Sequence, residues 1–439
     1  MRNQPRLPYL AMVLALWLAP LASQAGEAPA PAVPPADSSA KGALPLDELR
    51  TFAEVLDRIK TSYVEPVDDK TLLENAIKGM LSNLDPHSTY LDPEDFRDLQ
   101  ESTSGEFSGI GIEVGMQDGM FRVVAPIDDT PAAKAGIEPG DLILKIDGKP
   151  TNNLSMMEVV DMLRGKVGTR VELTLVRGDG DPFDLELTRA AIPVRSVKSL
   201  LLENGYGYLR ISQFQVNTGE EVGTALAALK KENGGQKLKG LILDLRNNPG
   251  GVVQAAVEVS DHFLKKGLIV YTKGRVANSE MRFSADPADA SEGVPLVILI
   301  NDGSASASEI VAGALQDHKR GIVMGTESFG KGSVQSVLPL TSGRALKLTT
   351  ALYFTPNGRS IQAQGITPDI EVKPAKVTRV KDRESYKEAD LAGHLGNGNG
   401  GAEKPSGKPG KPAPRPQDDD YQLNQALNLL KGLNATRSN

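Results

Sequence analysis

The sequence predicts a multidomain protein of mixed α+β and α/β architecture, on changes of hydrophobic periodicity along its 439 residues. Residues 45–104 carry apolar side chains at helical spacing. Residues 105–190 break into short, glycine-punctuated strand segments, and residues 191–375 alternate buried-type strands with helices. A Gly/Pro/Lys-rich linker at 376–420 and an amphipathic helix at 421–439 follow, so helical arms flank the two central domains.

The N-terminus reads as an export signal. Arg2 and Arg6 precede the apolar run Leu10–Leu21, and Ser23-Gln24-Ala25 offers small residues for cleavage, so residues 1–25 predict a periplasmic destination. An uncleaved anchor is the competing reading, although the run falls short of the roughly 20 residues that span a bilayer. Residues 26–44 are rich in Ala and Pro and read as a tether. Loss of the leader removes two arginines and no acid, which takes the formal charge from −7 to −9 and argues against nucleic-acid binding. With no cysteine and four histidines in no metal-binding spacing, the chain predicts no disulfide, no metal site and no cofactor.

In the first arm, Leu49, Phe52, Leu56, Ile59 and Tyr63 recur at helical spacing. Leu73, Ile77, Met80, Leu81 and Leu84 repeat the pattern after the breaker Glu65-Pro66. These helices serve either as a cap on the next domain or as a dimerisation arm. In residues 105–190 the run Pro131-Ala132-Ala133-Lys134-Ala135-Gly136-Ile137, then Pro139-Gly140-Asp141, then the helical Met156–Leu163, resembles a PDZ domain. The resemblance implies a peptide added as an extra strand, with its terminal carboxylate held by the loop Ser108-Gly109-Ile110-Gly111. The plainer reading is that these glycines permit a turn before a strand. Leu423, Leu427, Leu430 and Leu433 form the apolar stripe of the last helix, which docks on its own chain, another subunit or a partner, or else is a frayed tail.

The chemistry concentrates in Asn301–Gln335. The apolar strand Leu296–Ile300 leads through small residues to a helix beginning near Ser306, which sets that serine at the positive end of a helix dipole. A serine hydroxyl needs a base, either a histidine or a lysine made neutral by burial. Lys331, between Gly330 and Gly332, is a candidate. Gln335 lies an even number of residues away, on the same side of an extended chain, where it is expected to hydrogen-bond the amine. Alternatively, Ser304, Ser306 and Ser308 cap a helix, and Lys331 and Gln335 are solvated. A Ser/His/Asp arrangement with His262 or His318 stays open, as does a non-catalytic PDZ scaffold. Gly325–Lys331 matches GxxxxGK, but Gly332 replaces the hydroxyl residue a phosphate loop requires.

Together, Asp244-Leu245-Arg246-Asn247-Asn248-Pro249-Gly250-Gly251, Ser304-Ala305-Ser306-Ala307-Ser308-Glu309, Gln316-Asp317 and Phe329-Gly330-Lys331-Gly332-Ser333-Val334-Gln335 closely resemble the carboxyl-terminal processing (tail-specific) serine proteases over residues 45–375. The resemblance implies a ClpP/crotonase-like α/β core with an inserted PDZ domain. It makes Ser306 the nucleophile, Lys331 the general base and Gln335 its positioning residue, with an oxyanion hole from the backbone N–H of Ala307 and of Gly250 or Gly251. It gives Asp317 a structural place, and Arg164 a regulatory one between PDZ domain and active site. It further implies protein substrates with accessible C-termini, cell-wall hydrolases among them, a lipoprotein adaptor and homo-oligomers built through the terminal helices.

Overall fold

The computed structural model describes residues 45–376, apart from 118, 204, 277–278 and 288, together with Leu395 and residues 420–437. The expected leader, tether and nearly all of the 376–420 linker lie outside the described residues. The chain divides into two compact units, 1–73 and 74–439.

In the first unit the helix Leu46–Ser62 buries none of its residues. Leu49, Phe52, Val55 and Ile59 are all exposed. Asp68 caps the start of the next helix, Asp69–Ser82, accepting from the Thr71 backbone N–H at 3.0 Å and from its hydroxyl at 2.7 Å.

The second unit is organised around a six-stranded sheet. Its order is Val197–Glu203, Tyr206–Ile211, Gly240–Asp244, Leu296–Ile300, Ile322–Gly325, Ile370–Glu371, all parallel except the first pair. Every residue of Gly240–Asp244 and Leu296–Ile300 is buried. Such continuous apolar strands require cover on both faces. Alternation along the strands sorts the cover: Leu241, Leu243, Ile298 and Ile300 pack against Leu226, Val259 and Ile310 from three helices, Thr218–Glu232, Val253–Asp261 and Ala307–Asp317. Ile242, Val297 and Leu299 point the other way, onto Leu423, Ala426, Leu427 and Leu430 of the helix Tyr421–Arg437. The last helix therefore docks on its own chain. Arg246 clamps its start, donating to Asp420 Oδ2 at 2.7 Å and to Gln422 Oε1 at 3.0 Å.

A five-stranded antiparallel sheet stands beside this core. Thr89–Leu91, Ala345–Phe354, Gly267–Gly274 and Arg282–Ala285 run in that order, and Ser333–Pro339 also pairs with Ala345–Phe354. The sequence predicts two short strands at Leu346–Leu348 and Leu352–Phe354, but the structure has one of 10 residues. Thr349 and Thr350 continue it, because a β-branched threonine suits an extended chain even where the apolar pattern lapses.

The inserted module has its own core, with Phe121, Ile143, Ile146, Val159, Leu173 and Leu175 each at most 2% exposed. Its neck is a two-stranded ribbon, Glu106–Gly109 against Ala190–Pro193. Its helix Met156–Leu163 opens on a capping box, in which the Ser155 N–H donates to Glu158 Oε2 at 2.7 Å.

Candidate active site

Of the three serines in SASAS, two are already used by the fold. Ser304 Oγ donates to the Leu245 carbonyl at 2.8 Å, and Ser308 Oγ to the Asn248 carbonyl at 3.0 Å. Ser306 differs. It caps Ala307–Asp317 with φ 53° and ψ −110°, in a region that disfavours any residue with a Cβ, and its hydroxyl donates to no acceptor among the described residues. Such strain costs about 1–3 kcal/mol and persists only where the surroundings over-determine it. Here they do: the Ser306 N–H donates to Glu309 Oε2 at 2.7 Å, and the Ala305 N–H to the Asn248 carbonyl at 2.9 Å.

Glu309 is the residue that sequence reasoning passed over. Fully buried, it accepts from the Ser306 N–H, from Ser328 Oγ at 2.6 Å, from the Gly330 N–H at 2.7 Å and from the Lys331 N–H at 2.9 Å. One carboxylate thereby joins the Ser306 turn to the loop that carries the lysine. Burial pushes its pKa above the ordinary range while the four donors pull against that. The same contacts occupy the Gly330 and Lys331 N–H groups of the GxxxxGK stretch. The signal was available in the sequence as the spacing Ser306-x-x-Glu309, a capping box at a helix start.

Ser306, Lys331, Gln335, Gly250 and Gly251 line one cavity of about 410 Å³. Lys331 is half-buried, and burial, with the Lys347 ammonium, lowers its pKa against the raising pull of Glu309. Its Nζ makes no hydrogen bond to any described residue, so Ser306 and Lys331 share the cavity without touching through one. Gln335 and Lys331 line the same cavity, but no hydrogen bond joins Gln335 to the amine, and the register shift at Val334/Gln335 leaves its extra residue, Thr350, on the partner strand. Gln335 therefore turns to other partners, its Nε2 donating to Ser333 Oγ at 2.9 Å and Thr349 Oγ1 at 3.3 Å. Thr349 Oγ1 in turn donates to Asp85 Oδ1 at 2.9 Å. Asp85, whose carboxyl the Ser88 hydroxyl holds below the ordinary range despite desolvation, is a support lying hundreds of residues upstream that nothing in the sequence pattern marked.

The two glycines separate. The Gly250 N–H is committed to Asn248 Oδ1 at 2.9 Å, and a Cβ at Gly250 would lie 2.7 Å from the Ala305 carbonyl oxygen and 2.8 Å from Ser306 Cβ. Gly250 is thus the contact surface for the serine turn, while the N–H groups of Gly251 and Ala307 have no acceptor among the described residues. Neither histidine lines the cavity. His262 Nε2 is bonded to the Gly219 carbonyl at 2.8 Å and His318 Nε2 to that of Leu268 at 2.7 Å. Asp317 takes the structural place expected, accepting from the Asn357 N–H at 2.9 Å.

In the inserted module, Gly109, Ile110, Gly111, Val160, Leu163 and Arg164 line an apolar cavity of about 160 Å³. The Ile110 and Gly111 N–H groups are unbonded among the described residues, whereas Ser108 spends its hydroxyl on the Gly165 carbonyl. Arg164 Nη1 stands 3.8 Å from Asp98 and 3.7 Å from Glu101 on the helix Pro93–Ser104, whose Leu99, Ser102 and Thr103 reach the catalytic cavity.

Comparison with known proteins agrees with this arrangement. The model of peptidase family S41 matches residues 205–372, a PDZ domain model residues 122–177, and the model of the activating protease CtpB N-terminal domain residues 19–95. The chain is 49% identical over 387 residues to the carboxy-terminal-processing protease of Bartonella bacilliformis, covering 88% of each. It is 37% identical over 339 residues to the carboxy-terminal processing protease CtpA of Bacillus subtilis, covering 76% of this chain and 72% of that one. A solved photosystem II D1 C-terminal processing protease shares 31% identity, with TM-score 0.44 and coverage of 74% of this chain and 93% of the other. A serine-type hydrolytic cavity in an α+β core, an inserted PDZ module and relatives at this identity lead to one assignment: the chain belongs to the carboxy-terminal processing serine proteases of family S41.

Proposed function

We propose that this chain is an exported endopeptidase that cleaves with a Ser306/Lys331 dyad and engages substrate C-termini through its PDZ domain. The observation that carries the reading is the Ser306 hydroxyl, which donates to no described residue and is held by a strained backbone in a cavity that it shares with a lysine of lowered pKa. Neutral Lys331 takes the Ser306 proton as Oγ attacks the substrate carbonyl, once Nζ has closed to about 3 Å of Oγ. The N–H groups of Gly251 and Ala307 receive the oxyanion. The lysine returns the proton to the leaving amine, and water then releases the acyl-enzyme by the same relay. Gln335, with its amide oxygen free of the bonds its Nε2 makes, accepts from the protonated lysine.

The leader at 1–25 supports a periplasmic site of action on envelope proteins, cell-wall hydrolases among them. The free Ile110 and Gly111 N–H groups beside an apolar cavity support capture of a terminal carboxylate. Exposed apolar residues along Leu46–Ser62 support homo-oligomers or a lipoprotein adaptor as the partner of that helix. Arg164, paired with a helix that reaches the cavity, supports coupling between the two sites.

The deciding test is a serine-reactive phosphonate probe together with cleavage of an unfolded protein such as β-casein. Wild type is labelled and cleaves, and Ser306→Ala does neither while still binding a C-terminal peptide. Lys331→Ala loses activity to a comparable depth, since members of a catalytic unit are non-additive. A His262→Ala/His318→Ala double variant stays active if folded. Proteolysis by Ser306→Ala would refute the reading.

A further inference from the structure

Tyr353 lines the same cavity and belongs to no part of the mechanism so far. It lies near the end of Ala345–Phe354, and its N–H donates to the Gly332 carbonyl at 2.7 Å, which fixes it one residue from Lys331. The residue is 2% exposed and packs in the main core. Yet its hydroxyl finds no hydrogen-bond partner among the described residues, and it is not among the buried polar atoms sealed from solvent. What remains open at this phenol therefore faces the cavity. Buried tyrosines ordinarily satisfy the hydroxyl within the fold, because burying an unmet polar group is unfavourable. Desolvation also raises its pKa, keeping it a neutral proton donor throughout the working range.

The geometry points to Tyr353 as a substrate-positioning residue whose hydroxyl donates to a backbone carbonyl of the bound polypeptide beside the scissile bond. The oxyanion donors, Gly251 and Ala307, come from the parallel-sheet side of the cavity. Tyr353 comes from the antiparallel sheet, so it supplies a neutral donor on the opposite wall. A backbone carbonyl suits it better than a side chain, since Val252, Val253, Phe214 and Val337 make much of the remaining surface apolar, and an entering peptide must satisfy its carbonyls there.

This role rests on the proteolytic reading above, and the test keeps the two apart. In Tyr353→Phe the ring packing stays and only the unpartnered hydroxyl goes. The melting temperature is expected to be unchanged, kcat/KM on β-casein to fall about ten-fold, and the acid limb of the pH profile to stay in place. Phosphonate labelling of Ser306 should match wild type, because the probe carries no peptide backbone. A Ser306→Ala/Tyr353→Phe protein should bind a C-terminally amidated peptide, which the PDZ loop cannot hold by a carboxylate, more weakly than Ser306→Ala alone. Unaltered kcat/KM overturns the role. So does a lowered melting temperature, which would make the hydroxyl structural, and so does a displaced acid limb or altered labelling, which would place it on the dyad. Failure of wild type to cleave would instead count against the proteolytic reading, with the amidated-peptide comparison still deciding Tyr353.

Discussion

The two walls of the catalytic cavity are built on different principles. On the parallel-sheet wall, the serine turn is fixed by backbone strain and by a dense set of buried bonds from Asn248, Ser304, Ser308 and Glu309. On the antiparallel-sheet wall, Lys331, Lys347 and Tyr353 project side chains that do not bond one another, and Gln335 is held only through hydroxyls. The serine turn is preset and the lysine side is adjustable. Glu309 is the one carboxylate common to both, gripping the Ser306 N–H and the Lys331 N–H on the same oxygen. Preorganisation in this site thus lies in the backbone, and the contact proposed between Ser306 and Lys331 is left to side-chain rotation.

Breaking the shared carboxylate should erase the difference between the walls. Glu309→Gln places an amide donor against backbone donors, so activity is expected to fall about 10²-fold through misplacement of both groups. Stability should drop by about 1–3 kcal/mol, read by denaturant unfolding. A purely structural disturbance of the first wall is offered by Arg246→Ala, which leaves the fully buried Asp244 with only Tyr208 and Arg210 as side-chain partners. It should cost about 3–5 kcal/mol of stability and release the last helix to protease attack.

The second wall invites gentler tests. Asp85→Ala removes the acceptor that orients the Thr349 hydroxyl, and with it the support of Gln335. kcat should fall about ten-fold with KM little changed, and adding Thr349→Val should cause little further loss, because both act on one relay. The smallest effect is expected from Lys347→Met. Removing that positive charge lets the Lys331 ammonium persist to higher pH, so the acid limb of the activity profile moves towards alkaline pH. A limb that stays in place would mean that burial alone sets the lysine.

Much of the first wall was legible in the sequence. Ser306 and the Gly250-Gly251 pair stand in contiguous motifs, and the apolar strands that carry them are unmistakable because parallel strands are buried on both faces. Choosing among Ser304, Ser306 and Ser308 from residue chemistry alone was not possible, since all three are small hydroxyls at one helix entrance. Only the acceptors found by Ser304 and Ser308 separate them. The second wall was far less readable. Spacing placed Gln335 on the side of Lys331, but the partners its amide finds, Ser333 and Thr349, are set by pairing with Ala345–Phe354, which local spacing does not encode. Asp85 and Tyr353 join the site through pairings with distant segments, which local periodicity does not encode. Glu309 could have been found, because a charge inside an otherwise apolar helix demands buried partners.

The clamp on Arg246 has a temporal meaning as well as a spatial one. That arginine opens the loop leading to Gly250 and Gly251, and its partners Asp420 and Gln422 lie 174 and 176 residues further along the chain. Contacts of such long range close late, because chain entropy must be spent before they return anything. The brace on the glycine loop therefore forms only once the chain has been made through Gln422, after every residue that lines the catalytic cavity.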